Sequence, residues 1–371
     1  MKLRNCDMKE FAVRLAGRKL VCFGAGLMPT AMCAEYDELR LEDRLDFLSD
    51  NDVKKWGSIY EYEGKQYPVL CPDKLAAKIN KEHVLVITSE YYAEIIRQLD
   101  GYRELDETEC YIYPIMHSYY ENHPIRYYER STGAARIPKV IHYCWFGRGK
   151  IPTFEQRCID SWKRYNPDWE IREWTEDNYD VTKCEYMRQA YVHKKWGFVS
   201  DYARLDIIYE QGGIYLDTDV EALKSLNGLQ GNYAFCAFGD YSRIASGLGF
   251  GGVVGVKLFR EMRDVYDEVR FVNEDGTLNL TTCTVYQMEV LKKKGLRQKN
   301  ELQFVDGVKM YPSDFFSPVN SGTGFSQKQD NTYCVHHYKG SWLSGKETDG
   351  RAASRKALET IFERFVCDNS K

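Results

Sequence analysis

The feature that most constrains this chain is the alternation of short apolar runs with helical patterns. "KLVCFGAG" (19–26) reads as a buried strand entering a glycine turn, and "RLDFLSDND" (44–52) as a second strand ending in acids. "HVLVITS" (83–89) is a third, followed by the helical pattern "EYYAEIIRQLDGY". The pattern resumes with the strands "KVIHYCWFG", "WEIREWT" and "IYLDTDVEAL", separated by the helical runs "TFEQRCIDSWKRYN", "CEYMRQAYVHKKW" and "FVSDYARLDIIYEQ". Strands alternating with helices require an α/β architecture, in which helices cover a largely parallel sheet. At 371 residues the chain exceeds one ordinary core. The expected organisation is a parallel-sheet domain over 1–118, a polar, aperiodic linker over 119–136, and a second domain over 137–371. An amphipathic helix from about Arg351 to Cys367 ends the chain.

Composition removes several classes of function. A net charge of −4 without a dense Lys/Arg block leaves no field for a nucleic-acid backbone. No run reaches the roughly 20 apolar residues needed to span a bilayer. The most apolar early stretch, Leu20 to Ala34, is broken by Gly24, Gly26 and Pro29. Lys2, Arg4, Asp7, Lys9 and Glu10 interrupt any signal-peptide pattern. Twelve cysteines contain no C-x-x-C pair, so neither a zinc knuckle nor a disulfide framework is indicated. Scattered thiols persist best in a reducing compartment, and the expected location is the cytoplasm. Peripheral association with a membrane is compatible with all of this.

The chemistry concentrates at "IYLDTDV". Side chains alternate along a strand, so Asp217 and Asp219 are expected to point to one side and Thr218 to the other. Two carboxylates on one side hold a hard cation such as Mg²⁺ or Mn²⁺, which can bridge a diphosphate. On the preceding helix, Asp201 and Arg204 are three residues apart and share a face beside the apolar positions Phe198, Leu205 and Ile208. Such a pair is either a structural ion pair or a contact to sugar and phosphate. In the first domain, Gly24 and Gly26 follow a strand as in a dinucleotide-binding turn, although Pro29 stands where the third glycine belongs. Asp50, ending the next strand, could meet a ribose hydroxyl or cap its own turn.

The string "FVSDYARLDIIYEQGGIYLDTDV" resembles the signature of the DXD-containing glycosyltransferases, a family that includes fungal Golgi mannosyltransferases and bacterial capsule enzymes and is distantly similar to the glucosylating toxins. "IPKVIHYCWFG" and "TYCVHHYKGSW" extend the likeness from Ile137 to about Trp342. The first half resembles the Rossmann-like domain fused to bacterial surface-polysaccharide enzymes. The resemblance implies a GT-A fold, a Mn²⁺ or Mg²⁺ cofactor, and transfer of a hexose with retention of configuration. It also implies a nucleotide-sugar donor, UDP-linked first and GDP-mannose second, and a saccharide or lipid-linked saccharide acceptor, in capsular or surface polysaccharide synthesis. Carried over by position, Trp145 stacks on the donor base and Asp201 accepts sugar hydroxyls. Arg204 faces the sugar or its phosphate. Asp217 meets the ribose and the metal's hydration shell, and Asp219 ligates the metal. His337 completes the metal site, with His336 as its competitor, because neighbours on a strand face opposite ways. Ser341 and Trp342 close over the diphosphate, and Ser246 to Gly252 approach the sugars without assigned roles. Two rival classes remain: a nucleotide-dependent oxidoreductase built on Gly24 and Gly26, and a metal-dependent carbohydrate-binding protein without catalysis.

Overall fold

The computed structural model describes residues 1–120, 134–340 and 345–365, which form two compact units. The first contains residues 1–120 together with 320–325 and 345–365. The second contains 134–319 and 326–340. Both are mixed α/β, as the alternation of patterns requires. Most of the expected linker, residues 121–133, lies outside the described residues.

The first unit is built on seven strands: β1 (Lys2–Arg4), β2 (Lys19–Phe23), β3 (Leu45–Ser49), β4 (Ile59–Tyr62), β5 (Lys65–Leu70), β6 (His83–Ile87) and β7 (Glu109–Ile112). Their order is β1-β7-β6-β2-β3-β5-β4, and only β4 runs antiparallel to its neighbour. Counted from β2, five parallel strands follow the 3-2-1-4-5 order of doubly wound sheets, which reverses between β2 and β6. Helices α1 (Met8–Leu15), α2 (Met28–Glu35), α3 (Pro72–Lys78) and α4 (Tyr92–Leu99) connect the strands, and α5 (Tyr113–Tyr120) follows β7. Val21, Phe23, Leu85, Ile87, Ile95 and Leu99 lie in its core.

The second unit has strands β8 (Val140–Cys144), β9 (Glu170–Trp174), β10 (Gly213–Tyr215), β11 (Val220–Ala222), β12 (Ala234–Gly239), β13 (Arg243–Ile244), β14 (Phe250–Gly252), β15 (Gln303–Val305), β16 (Val308–Tyr311) and β17 (Cys334–His336). The main sheet runs β15-β16-β12-β14-β10-β8-β9, with β13 on β12, while β11 and β17 form a separate antiparallel pair. Its helices are α6 (Thr153–Tyr165), α7 (Glu185–Val192), α8 (Trp196–Gln211), α9 (Lys257–Asp264) and α10 (Cys283–Lys293). Side chains alternate across the sheet with the two-residue period of a strand. On β12, Ala234, Cys236 and Phe238 enter the core under α7 to α10, while Phe235 and Ala237 enter the core under α6. The sheet is therefore apolar on both faces and sandwiched between helices.

The end of the chain is arranged differently from the sequence expectation. In place of one helix reaching Cys367 there are two, α11 (Gly345–Lys356) and α12 (Leu358–Glu363), and Cys367 lies outside the described residues. They belong to the first unit, where Leu358 and Ile361 enter its core and Arg351 pairs with Glu90 at 2.7 Å. Amphipathic periodicity shows that a helix needs an apolar surface, but it does not say which surface.

Candidate active site

α8 brings a charged pair into the interior. Every residue from Phe198 to Ile208 is buried, so this stretch of the helix has no exposed face and its polar side chains need internal partners. The helix ends where Gly212 (φ 66°) and Gly213 (φ 93°) adopt positive φ. A Cβ at Gly213 would come within 2.7 Å of the Val140 carbonyl, so glycine also lets β10 close on β8.

Arg204 joins the helix to the acids. Its Nε donates to the Ser200 carbonyl at 3.0 Å, and its Nη2 lies 3.2 Å from Asp201 Oδ1 and 3.3 Å from Asp217 Oδ1. The guanidinium carbon also sits 5.3 Å from the centre of the Tyr215 ring, whose hydroxyl donates to Asp217 Oδ1 at 3.0 Å. Asp201 and Asp217 thus share one cation. Burial pushes the Asp201 carboxyl up to about 6 against the pull of Arg204, with Asp217 adding to the rise and the Cys283 thiol opposing it by hydrogen bonding.

Asp217 and Asp219 converge for a different reason from strand alternation. β10 ends at Tyr215, and the acids lie in a tight turn closed by a bond from the Val220 N–H to the Asp217 carbonyl at 3.0 Å. The chain then pairs as β11 with β17, placing Val220 opposite His336. One donor atom each from Asp217, Asp219 and His336 lie within 4.8 Å of one another, an arrangement able to hold a metal ion. His336 Nε2 is 3.2 Å from Asp219 Oδ1, and the Lys339 N–H donates to Asp219 Oδ2 at 2.9 Å. Burial raises the Asp219 carboxyl, but His336 and the backbone N–H groups outweigh it and bring it down to about 2. Burial alone would lower the His336 imidazole, but Asp219, Asp217 and Asp240 together raise it. Asp217 is raised, mainly by burial and further by the neighbouring Asp219 charge, with Arg204 opposing.

The structure brings His336 rather than His337 into this cluster. His337 Nε2 faces Glu221 Oε2 at 3.0 Å, and its ring meets the edge of Phe154. The two rings diverge because they are neighbours at the end of β17. Trp145 leaves the carboxyl end of β8 beside the parallel strand that delivers Asp217, half-buried, with its indole N–H on the Gly149 carbonyl at 2.6 Å. Ser341 and Trp342 lie outside the described residues.

The glycine turn of the first unit is filled by its own side chains. Asp50 accepts from the Ala25 N–H at 2.7 Å and the Asp52 N–H at 2.8 Å, and pairs with Lys55 at 2.9 Å. Tyr60 donates to the Gly26 carbonyl at 2.9 Å and accepts from the Thr30 N–H in the first turn of α2. Gly24 is required by contact, since a Cβ there would lie 2.6 Å from the Thr88 carbonyl. Asp50 and Tyr60 thus engage the Ala25 and Thr30 N–H groups of this turn.

Two further residues support the acids without a recognisable motif. A Cβ at Gly247 would overlap Asp217 Oδ2 and come within 3.0 Å of Arg204 Nη1, so any side chain there must push the Asp217 carboxylate aside. The Gly247 carbonyl also accepts the Asp217 N–H. Gln287, fully buried on α10, holds the adjacent Ser246 twice: its Oε1 accepts the Ser246 N–H at 3.1 Å, and its Nε2 donates to Ser246 Oγ at 2.7 Å. The glycine-rich run marked the first position; no sequence signal marks the second.

Residues 152–236 match the family described as glycosyltransferase sugar-binding region containing DXD motif. This region resembles the DXD-containing glycosyltransferases. The match takes in Asp201, Arg204, Asp217 and Asp219, whereas Trp145, Gly247, Gln287 and His336 lie beyond it. The chain is 23% identical over 197 residues to an uncharacterised glycosyltransferase of Acanthamoeba polyphaga mimivirus, covering 50% of this chain and 76% of the relative. It is 32% identical over 107 residues to inositol phosphoceramide mannosyltransferase 3 of Schizosaccharomyces pombe, covering 27% of this chain but only 29% of that protein. Among solved structures, the PaToxG glycosyltransferase aligns with 62% of this chain and 84% of its own, at 14% identity and a TM-score of 0.35. No helix among the described residues is long and apolar enough to cross a membrane.

Proposed function

We propose that the second unit is a metal-dependent, GT-A type hexosyltransferase that acts with retention of configuration. The observation that carries the proposal is the convergence of Asp217, Asp219 and His336 on one point, with Arg204 tying Asp217 to Asp201 behind them. Two carboxylates and an imidazole suit Mn²⁺ or Mg²⁺, and a divalent ion would offset both the burial that chiefly raises Asp217 and the neighbouring Asp219 charge that adds to it. Such an ion, held by Asp217, Asp219 and His336, would supply positive charge to a departing diphosphate. Arg204 is positioned to orient Asp217, and Asp201 to accept sugar hydroxyls at the inner wall. Trp145, at the end of the neighbouring parallel strand, is suited to the donor base, because ligands of α/β sheets lie beyond the carboxyl ends of their strands.

Retention is what the resemblance to the DXD-containing glycosyltransferases implies, and it is compatible with acids that already serve partners: Arg204 for Asp201 and Asp217, His336 and the Lys339 N–H for Asp219. A two-carboxylate mechanism needs an acid and a nucleophile or base free on either side of the bond. A front-face transfer, in which the departing phosphate takes the acceptor proton, places no such demand. The donor we favour is a UDP-hexose, with GDP-mannose second. The acceptor would be a saccharide or lipid-linked saccharide in capsular or surface polysaccharide synthesis in the cytoplasm. The first unit is proposed as a Rossmann-like scaffold or acceptor-selecting domain rather than a donor site, because its glycine turn is closed by Asp50 and Tyr60.

The test is donor turnover with Mn²⁺ in wild type and Asp219→Asn. Wild type should transfer or slowly hydrolyse the sugar, and the folded variant should lose at least about a hundredfold. Near wild-type turnover by Asp219→Asn would remove the metal site from the mechanism. An inverted product by NMR would remove retention.

A further inference from the structure

Lys339 stands apart from the other cations of the site. Its backbone N–H is bonded to Asp219 Oδ2 at 2.9 Å, yet its ammonium has no carboxylate partner among the described residues and rests 4.7 Å from the centre of the Phe154 ring. Arg204, in contrast, is buried between two carboxylates and makes no demand for further negative charge. The chain reaches this arrangement through a conformation most residues avoid. Tyr338 has φ 48°, which costs a non-glycine residue on the order of 1 kcal/mol. Packing holds it there: the Tyr338 hydroxyl is 2.6 Å from Ser317 Oγ, and its ring lies against His336 with centroids 4.2 Å apart. The strained residue turns the chain so that Lys339 follows His336 back to the metal cluster.

Electrostatics explains why a cation there is useful. Asp201, Asp217 and Asp219 bring three negative charges to one site, which Arg204 and a divalent ion together would neutralise. A sugar diphosphate adds negative charge beyond that balance, and the diphosphate gains more as the sugar bond breaks. A charge stabilised more in the transition state than in the ground state accelerates the step. On the proposal that this is a glycosyltransferase site, we infer that Lys339 contacts the outer phosphate of the nucleoside diphosphate, with Phe154 as a shelf that keeps the ammonium near it. The Phe154 contact is weak enough to exchange for a phosphate, since an exposed cation–π pair contributes only about 0.5–1 kcal/mol.

Side-chain substitution isolates this role, because Lys339→Met removes the ammonium and leaves the N–H bonded to Asp219. Binding of UDP, GDP, UMP and GMP is measured by calorimetry in Mn²⁺ with wild type, Lys339→Met and Lys339→Arg, alongside Mn²⁺ affinity alone. Lys339→Met should weaken the better diphosphate at least about tenfold, reduce its salt dependence, and leave the monophosphate and Mn²⁺ affinities within about twofold. Lys339→Arg should recover most of the loss, and Phe154→Ala should cost less than Lys339→Met. Unchanged diphosphate binding in Lys339→Met overturns the inference, as does an equal loss for mono- and diphosphate, which would mark a purely structural role. If wild type binds neither diphosphate in Mn²⁺, the glycosyltransferase reading fails, and the inference with it.

Discussion

Asp201 and His336 carry the most information of any side chains in the site. Asp201 ionises near 6, well above an ordinary carboxylate near 4, because it is buried. Between those values the folded protein holds a proton that the unfolded chain has released. Linkage therefore makes the Asp201 contribution to stability rise as pH falls through that window. Compared with Asp201→Asn, wild type should gain in Tm on going from about pH 7 to about pH 5. A difference in Tm that stays flat would mean that Asp201 titrates normally. For the histidines, His336→Ala should weaken Mn²⁺ binding by at least about tenfold, while His337→Ala should change it little. Their order in a Mn²⁺ titration decides between them, and the reverse order would place the ligand at His337 despite its contact with Glu221.

At the scale of elements, the site is a junction of loops held by rigid pieces. α8 delivers Asp201 and Arg204, the turn after β10 delivers the two acids, and β17 delivers His336 by pairing with β11. The Ser246–Gly247 loop wedges against Asp217, and Gln287 on α10 pins it. Gly247→Ala should therefore leave the fold largely intact yet lower turnover at least about tenfold, because its Cβ meets a carboxylate that Arg204 and Tyr215 prevent from moving away. Far-UV circular dichroism with a kinetic assay separates the two effects. An Ala variant with full activity would show that Asp217 can shift freely.

The whole molecule divides its labour between two cores. All described residues of the candidate site lie in the second unit, whereas α11 and α12 complete the first. Ile361→Ala removes a buried side chain from that first core and should cost about 2–5 kcal/mol. The loss should appear in the unfolding of the first unit, while Mn²⁺-dependent donor affinity measured below that transition stays within about twofold. A parallel collapse of donor affinity would show that the candidate site depends on the first unit.

What the sequence by itself determined was local. Alternating apolar runs specify an α/β fold because strand and helix periods differ, and Gly212-Gly213 marks the end of α8 because only glycine readily takes both positive φ values. The motif from Phe198 to Val220 brings Asp201, Arg204, Asp217 and Asp219 into view, since they sit within one helix–strand–turn unit. The tertiary structure alone decided everything that depends on distant segments meeting. His336 reaches Asp219 through the pairing of β11 with β17, more than a hundred residues apart, and neighbouring histidines cannot be distinguished until that register exists. Gln287 holds Ser246 across 41 residues, and Lys339 is aimed by a left-handed Tyr338 that only packing sustains. The terminal helices found the first core for the same reason. Periodicity encodes an apolar face, but the partner that covers it is chosen by the folded chain.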